Sequence, residues 1–217
     1  MSGGGSFFEL LAFYGVPDRI IATLRKHLDL PDVYPTDSPP KSLPNKDKPW
    51  LYVYGPTGTG KSTHAAWLLA LYLRARARLG PGHALHLTDP GSASYSPGYA
   101  PQGSSLSARV FYHYVRVTEL LRRMKSDFGS SQTDGAMLFE RCLGAQFLIL
   151  DDLTSEPSAW ELAQLDLLID RRYGDGSFTI ITSNHPLDRL AHAIGSERIR
   201  GRIGEIAKQK RMRRNYR

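Results

Sequence analysis

The sequence has little of what marks secreted, zinc-binding or membrane-spanning proteins. It contains one cysteine, Cys142, among 217 residues, which excludes an intrachain disulfide and a cysteine cluster for zinc. The seven histidines show no ligand spacing typical of a metal site. The longest apolar run, residues 65–73, is too short to span a bilayer. We therefore expect a protein of the reducing cytoplasm that does not contact a membrane.

An excess of positive charge is missing from most of the chain. Residues 1–197 carry 19 Lys or Arg against 20 Asp or Glu, whereas residues 198–217 carry nine Lys or Arg and a single acid, Glu205. A basic segment of this kind is typical of contact with phosphates, either of nucleic acid or of a neighbouring subunit's nucleotide. A solvated charged tail has the same composition, so both interpretations stay open.

A short apolar stretch is followed by a glycine-rich loop and a helix-forming run. Residues 50–54, WLYVY, have no helical period and end at Gly55, as a buried strand entering a tight turn does. Residues 62–79 are rich in Ala and Leu and stop before a Gly-Pro pair. The sequence therefore predicts a strand, a loop and a helix in that order.

The loop carries the Walker A pattern of phosphate-binding proteins. Gly55, Gly60, Lys61 and Ser62 occupy the fixed positions of G-x-x-x-x-G-K-S/T. In this motif backbone N–H groups hold the phosphates, the lysine reaches the β- and γ-phosphates, and the serine hydroxyl is a ligand for Mg²⁺. The motif thus predicts a bound nucleotide and Mg²⁺ as cofactors. The residues expected to hold the nucleotide are Gly55, Pro56, Thr57, Gly58, Thr59, Gly60, Lys61, Ser62 and Thr63.

Two carboxylates follow a second apolar strand. Residues 146–153, QFLILDDL, have the form of a Walker B element, and we expect their strand at the sheet centre beside the strand of the phosphate-binding loop. Asp151 would then hold the metal near Ser62 through water. Asp152 would polarise the attacking water as a general base.

A further buried strand, residues 177–183, ends at Asn184. Asn184 is placed either to orient the attacking water or to cap the next turn. Strands and helices alternate along this part of the chain, which predicts a mainly parallel sheet covered by helices on both faces.

The chain is expected to divide into an N-terminal appendage, residues 1–48, and a core, residues 49–217. In the appendage, residues 7–30 predict two short amphipathic helices separated by a Gly-Val-Pro segment at 15–17, and a proline-rich linker follows. These helices either bind a partner or pack against the core. Residues 80–108 are a long insertion rich in Gly, Ser, Pro and Tyr, in which a flexible loop is expected.

The ordered motifs GPTGTGKST, FLILDDL, TIITSN and ERIRGRIGE resemble those of the AAA+ ATPases of the DnaC-type helicase loaders and the related IstB-like transposition ATPases. The likeness covers about residues 49–217. It implies an α/β, three-layer αβα P-loop NTPase fold of the AAA+ (ASCE) type, with a central five-stranded, mainly parallel sheet. A short N-terminal helical appendage would precede this core, and no full lid domain would follow it.

The resemblance also implies roles by position. Asn184 is similar to the sensor 1 residue, and Arg202 is similar to the arginine finger, with Arg198 one helical turn earlier as its support. Such a finger acts on ATP held by a neighbouring subunit, so self-association is implied. Arg217 resembles a sensor 2 group. An always-charged, planar donor suits the developing charge of a transferred phosphoryl group.

The function implied by this resemblance is ATP-dependent loading or remodelling of a replicative DNA helicase on single-stranded DNA. An IstB-like transposition helper acting on double-stranded DNA is one alternative, and a small-molecule P-loop kinase is another. A nucleotide-gated binding module with little turnover is a further alternative, because Asp152 is a shorter general base than the glutamate of many relatives.

Overall fold

The computed structural model of the protein describes residues 7–27, 47–77, 112–129, 133–153 and 156–213. The predicted insertion at 80–108, most of the proline-rich linker and Arg217 lie outside these residues. The elements, in chain order, are α1 (Phe7–Phe13), α2 (Asp18–His27), β1 (Trp50–Tyr54), α3 (Lys61–Ala77), β2 (Tyr112–Arg116), α4 (Val117–Ser126), α5 (Asp134–Gly144), β3 (Phe147–Leu153), α6 (Ala159–Asp175), β4 (Phe178–Ser183), α7 (Leu187–Ile194), α8 (Glu197–Ile206) and β5 (Ala207–Arg211). The predicted strand, loop and helix around the Walker A motif are confirmed.

The strands form one five-stranded sheet in the order β2-β3-β4-β1-β5. Every neighbouring pair is parallel. The residues that follow the strands therefore all lie on the same side of the sheet, at the carboxyl-terminal ends of the strands. The order shows that one expectation was wrong: β3 does not lie beside β1, because β4 lies between them. The apolar pattern of a strand reports its burial but not its neighbours. The Walker B carboxylates therefore approach the phosphate-binding loop across the end of β4.

Helices cover both faces of the sheet, which gives the predicted three layers. On one face α1, α2 and α3 pack against side chains such as Leu51 and Ile149. On the other face α4 to α8 pack against the alternate side chains, such as Leu148 and Leu150. Because β1, β3 and β4 are buried on both faces, their sequences are mainly apolar rather than alternating. The edge strand β5 differs, because only Ala207 is buried in it.

The N-terminal helices α1 and α2 form the predicted pair and pack on the core. Leu11, Val16 and Leu24 are buried and belong to the same apolar cluster as α3. Helix α3 is consequently covered by the sheet on one side and by α2 on the other. Among the two alternatives for the appendage, packing against the core is thus observed. Within the described part of the chain, no helix is long and apolar enough to cross a membrane.

One arginine is buried at the other end of the strands, where β3 and β4 begin. Arg172 on α6 is 0% exposed, and its guanidinium group donates hydrogen bonds to the carbonyl oxygens of Cys142, Ala145 and Phe178 at 2.7–2.9 Å. It also donates to the Thr179 hydroxyl at 3.0 Å. The end of α5 lacks intrahelical partners for its last carbonyls, and Arg172 supplies donors to them. The arginine therefore joins α5, α6 and β4.

Candidate functional site

The phosphate-binding loop starts at a close contact between two strands. Gly55 follows β1, and a Cβ atom at that position would lie 2.4 Å from the main-chain oxygen of Met212, just beyond β5. The Met212 N–H in turn donates to the Tyr54 oxygen at 2.7 Å. A side chain at position 55 would force these strand ends apart. Glycine is therefore required where the loop leaves the sheet.

The side chain of Lys61 points back into the loop. Its ammonium group donates to the main-chain oxygens of Gly55 and Pro56 and to Oδ1 of Asn184, each at 2.9 Å. Burial lowers the pKa of Lys61, and the negative charges of Asp152 and Asp151 partly oppose this effect. Lysine, the sensor 1 candidate and both acidic residues are thus brought together at the ends of β1, β3 and β4.

Asp151 is 1% exposed and is held by two hydroxyl groups. Tyr114 donates to its Oδ2 at 2.6 Å, and Thr182 donates to its Oδ1 at 2.7 Å. The Nε atom of Arg116 lies 3.9 Å from Oδ2. Sequence reasoning missed Tyr114 and Thr182, because each is one residue in an apolar strand. Only the parallel pairing of β2, β3 and β4 brings them to the carboxylate.

Asp152 lies in a β-bulge. Leu150 pairs with Ile181 and Leu153 pairs with Ser183, so one extra residue is accommodated on β3. Asp152 has a left-handed φ of 61°, and its N–H donates to the Thr182 hydroxyl at 2.8 Å. Bulges of this kind re-aim side chains beside active sites.

Burial is the main influence on the Asp152 carboxyl. It raises the pKa of Asp152, the charge of Asp151 raises it further, and Lys61 lowers it. A raised pKa brings a carboxylate closer to the basicity that proton transfer requires. The two adjacent aspartates therefore differ: one is fully enclosed and hydrogen-bonded, and the other is half-buried next to Lys61.

The oxygen ligands present suit Mg²⁺. The Ser62 side chain interacts with the same Tyr114 hydroxyl that donates to Asp151, so the two residues predicted to hold the metal are neighbours. Among the described residues there is no group of three or more His, Cys, Asp or Glu that could hold a metal. Mg²⁺ is typically held by one or two carboxylates, several waters and substrate phosphates. A serine hydroxyl and one carboxylate that accepts two hydrogen bonds fit binding of this kind.

The finger candidates pair with helix α6 of their own chain. Arg198 lies 2.6 Å from Asp166 and 3.2 Å from Asp170. Arg202 forms an ion pair with Asp170, lies 3.8 Å from Asp166 and stacks over the Tyr173 ring at 5.7 Å. Its side chain is only 18% exposed. The sensor 2 candidate Arg217 is outside the described residues.

A cavity of about 750 Å³ opens beside the loop. Arg189, Arg200 and Arg211 line it, together with Gly55 and Asn184. Arg200 pairs with Glu197 at 2.6 Å. Sequence reasoning had found the basic C-terminal segment but not the position of these arginines, which come from α7, α8 and β5. An anionic group next to the phosphate-binding loop would be favoured here.

The fold belongs to the class of P-loop nucleoside triphosphatase folds. This class is defined by a strand, a phosphate-binding loop and a helix, here β1, the loop and α3, with acidic residues at the end of a nearby strand, here β3. Solved structures of this class are similar to the protein. The "Crystal structure of the DnaC helicase loader" matches at 20% identity over 94% of this chain and 96% of that chain, with a TM-score of 0.55. The structure of DnaI matches at 20% identity over 90% and 84%, with a TM-score of 0.52.

A third structure is domain III of the Thermotoga maritima replication initiation protein DnaA, at 12% identity over 77% of this chain and 56% of that chain, with a TM-score of 0.53. No protein-family model matches the sequence, and a search of curated proteins finds no match either. The protein therefore has the three-layer P-loop fold of DnaC-type helicase loaders and DnaA, as the motifs predicted.

Proposed function

We propose that the protein is an AAA+ ATPase that binds and hydrolyses ATP in order to load or remodel a replicative DNA helicase on single-stranded DNA. The observation that carries the proposal is the convergence of Lys61, Asp152 and Asn184. The Lys61 ammonium group lies 2.9 Å from Asn184, and its charge and that of Asp152 shift each other's pKa. A phosphoryl group at the loop would meet a cation, a base and a polar amide together.

Each candidate residue has a role in this proposal. The loop N–H groups and Lys61 hold the phosphates. Ser62 and Asp151 hold Mg²⁺, which neutralises charge on the phosphates when bound. Asp152 accepts the proton of the attacking water and Asn184 orients that water.

The arginine candidates would complete the site between subunits. Arg202, supported by Arg198, acts on ATP held by a neighbouring subunit, and Arg217 acts as the sensor 2 group. The proposal therefore includes self-association, in which Arg202, paired with Asp170 on α6 of its own chain, would turn to the loop of a neighbouring subunit. The division into an appendage, residues 1–48, and a core, residues 49–217, is part of the same proposal.

Hydrolysis is tested by steady-state phosphate release. Lys61→Ala should lose nucleotide binding, and Asp152→Ala should bind ATP but turn over at least about 100-fold more slowly, as expected for a lost general base. Asp175→Ala, an exposed carboxylate on α6, is the control. Equal, measurable turnover by wild type and Asp152→Ala would argue against a catalytic Asp152, and negligible turnover by wild type would favour a nucleotide-gated binding module.

The shared site is tested by mixing variants. Lys61→Ala subunits keep Arg202, and Arg202→Ala subunits keep an intact phosphate-binding loop. In an equimolar mixture Arg202 of one variant can act on ATP held by the other, so ATP hydrolysis that neither variant shows alone should be recovered. If Arg202→Ala alone hydrolyses ATP normally, the finger assignment fails.

The proposal that the partner is a replicative helicase is supported by the similarity to a DnaC helicase loader, which covers 94% of this chain and 96% of that chain. We would trap Asp152→Ala with ATP and test binding to a purified replicative helicase and to a transposase. Helicase binding supports the proposal, and transposase binding with a preference for double-stranded DNA supports the transposition helper. Contact with single-stranded DNA through the basic residues should weaken steeply as salt rises, because phosphate contacts release counterions.

A further inference from the structure

We propose that Tyr114 is a positioning residue for the metal-binding pair Ser62 and Asp151, and that the N-terminal helices fix its main chain. The inference rests on the proposed nucleotide site. It gives the helical appendage a direct physical connection to that site.

The side chain of Tyr114 contacts both residues that are predicted to hold the metal. Its hydroxyl donates to Asp151 at 2.6 Å, and the Ser62 side chain interacts with the same oxygen. Tyr114 is 2% exposed, so the ring has no freedom to follow a displaced partner. Groups that orient metal ligands through hydrogen bonds typically change metal affinity about 10- to 100-fold when removed.

The main chain of Tyr114 is held from the other side. Strand β2 is at the edge of the sheet, where unpaired N–H and C=O groups face outward. The Tyr114 N–H donates to the Tyr14 oxygen at 2.8 Å. A Cβ atom on Gly15 would lie 2.4 Å from the Tyr114 oxygen. The turn between α1 and α2 therefore covers both main-chain groups of Tyr114.

Gly15 makes this contact possible in two ways. Its φ of 88° lies in the left-handed region that glycine adopts without strain, and the missing side chain allows the close approach to β2. A partner that moves α1 and α2 would move the main chain of Tyr114, and with it the hydroxyl that orients Asp151. Partner binding and metal-dependent nucleotide binding should accordingly be coupled.

The side-chain step is tested by measuring the affinity of a fluorescent ATP analogue with Mg²⁺ and with EDTA. Tyr114→Phe removes the hydroxyl and keeps the ring. We expect its affinity to fall about tenfold with Mg²⁺ and to equal that of wild type in EDTA. Tyr112→Phe makes the same chemical change on the same face of β2 and should match wild type in both conditions.

Two results would overturn the inference about Tyr114. Either unchanged affinity with Mg²⁺, or an equal loss with and without Mg²⁺, would show that the hydroxyl does not act through the metal ligands. A wild-type protein that binds no nucleotide in either condition would instead overturn the proposed function, and the inference with it.

The main-chain step is tested by Gly15→Ala under the same two conditions. The added methyl group should displace β2 at Tyr114 and reproduce the Mg²⁺-dependent loss. Gly176→Ala is the matched control, because Gly176 also has a positive φ of 60° but has nothing within 4 Å of the added Cβ. If Gly15→Ala folds and keeps the wild-type response to Mg²⁺, the link to the appendage is wrong. If it does not fold, Leu11→Ala is the second variant, because it removes a buried side chain that holds α1 on the core. A wild-type response to Mg²⁺ from this variant would likewise show that the link is wrong.

Discussion

The ammonium group of Lys61 lies 2.9 Å from the amide oxygen of Asn184. This contact joins the phosphate-binding loop to the end of β4. Gly55 and Pro56 supply the other two acceptors, also at 2.9 Å, so all three ammonium hydrogens have protein partners. A phosphate oxygen that binds Lys61 must replace at least one of them, and Asn184 is the side chain that can turn away.

Asn184→Ala should separate binding from hydrolysis. Removing the amide leaves Lys61 with one competing acceptor fewer, so nucleotide affinity should stay within about twofold of wild type or rise. Turnover should fall by at least about tenfold, because the variant lacks the group proposed to orient the attacking water. Nucleotide titration and phosphate release check the two effects. A large loss of affinity would mean that Asn184 holds Lys61 in its binding position.

Asp170→Asn should make Arg202 more available to a neighbouring subunit. The ion pair with Asp170 holds the guanidinium group on its own chain. Although Arg202 is mostly buried, the Asp170 side chain is 42% exposed, and a solvent-screened pair contributes about 1 kcal/mol or less. ATP turnover at a fixed protein concentration should therefore rise by up to about fivefold. Asp175→Asn, whose carboxylate lies 3.7 Å from Arg171 on the same helix, is the control. A fall in turnover would show that Asp170 instead orients the finger for use.

Acid should destabilise the fold through two partly buried histidines. Burial, assisted by nearby positive charge, lowers the pKa of His64 and of His113 to about 4, against about 6.5 in an unfolded chain. Between these values the unfolded state binds protons that the folded state does not, so stability falls as the pH falls through this window. Each histidine should lower the free energy of unfolding by about 2 kcal/mol between pH 7 and pH 5.

His113→Phe tests this sign and magnitude. The phenyl ring fills similar space and cannot titrate. Urea unfolding at pH 7, 6 and 5 should show a smaller decline in the free energy of unfolding for the variant than for wild type. Equal declines would contradict the predicted contribution of His113.

Arg172→Met should destabilise the fold by about 3 kcal/mol, because it leaves several buried carbonyl oxygens without donors. Arg171→Met is the matched control on the same helix: that side chain is 70% exposed and its loss should change stability by no more than about 0.5 kcal/mol. Urea unfolding measures both variants. Equal stability of Arg172→Met and wild type would show that the cost of burying the Arg172 guanidinium group cancels the stabilisation from its hydrogen bonds.

The local elements were predictable where the chain carries a repeated or bounded pattern. The strand before Gly55 and the helix after it are defined by apolar runs and glycine, and the acidic strand end at Asp151 is visible in the sequence. The place of β3 in the sheet was predicted wrongly, because strand order depends on how crossover connections pack and not on any one strand. Thr182 and Tyr114 were missed for the same reason.

The sequence by itself determined the chemistry at the loop: a glycine-rich turn, Lys61 and Ser62 can be read from their spacing, since the motif is local and its geometry follows from a few adjacent residues. Only the tertiary structure decided what surrounds it. The pairing of β2, β3 and β4 encloses Asp151 between Tyr114 and Thr182, and the edge of β2 receives the turn at Gly15. These contacts join residues that are far apart in the chain. Their distances depend on burial and on strand register, and no local sequence pattern records either.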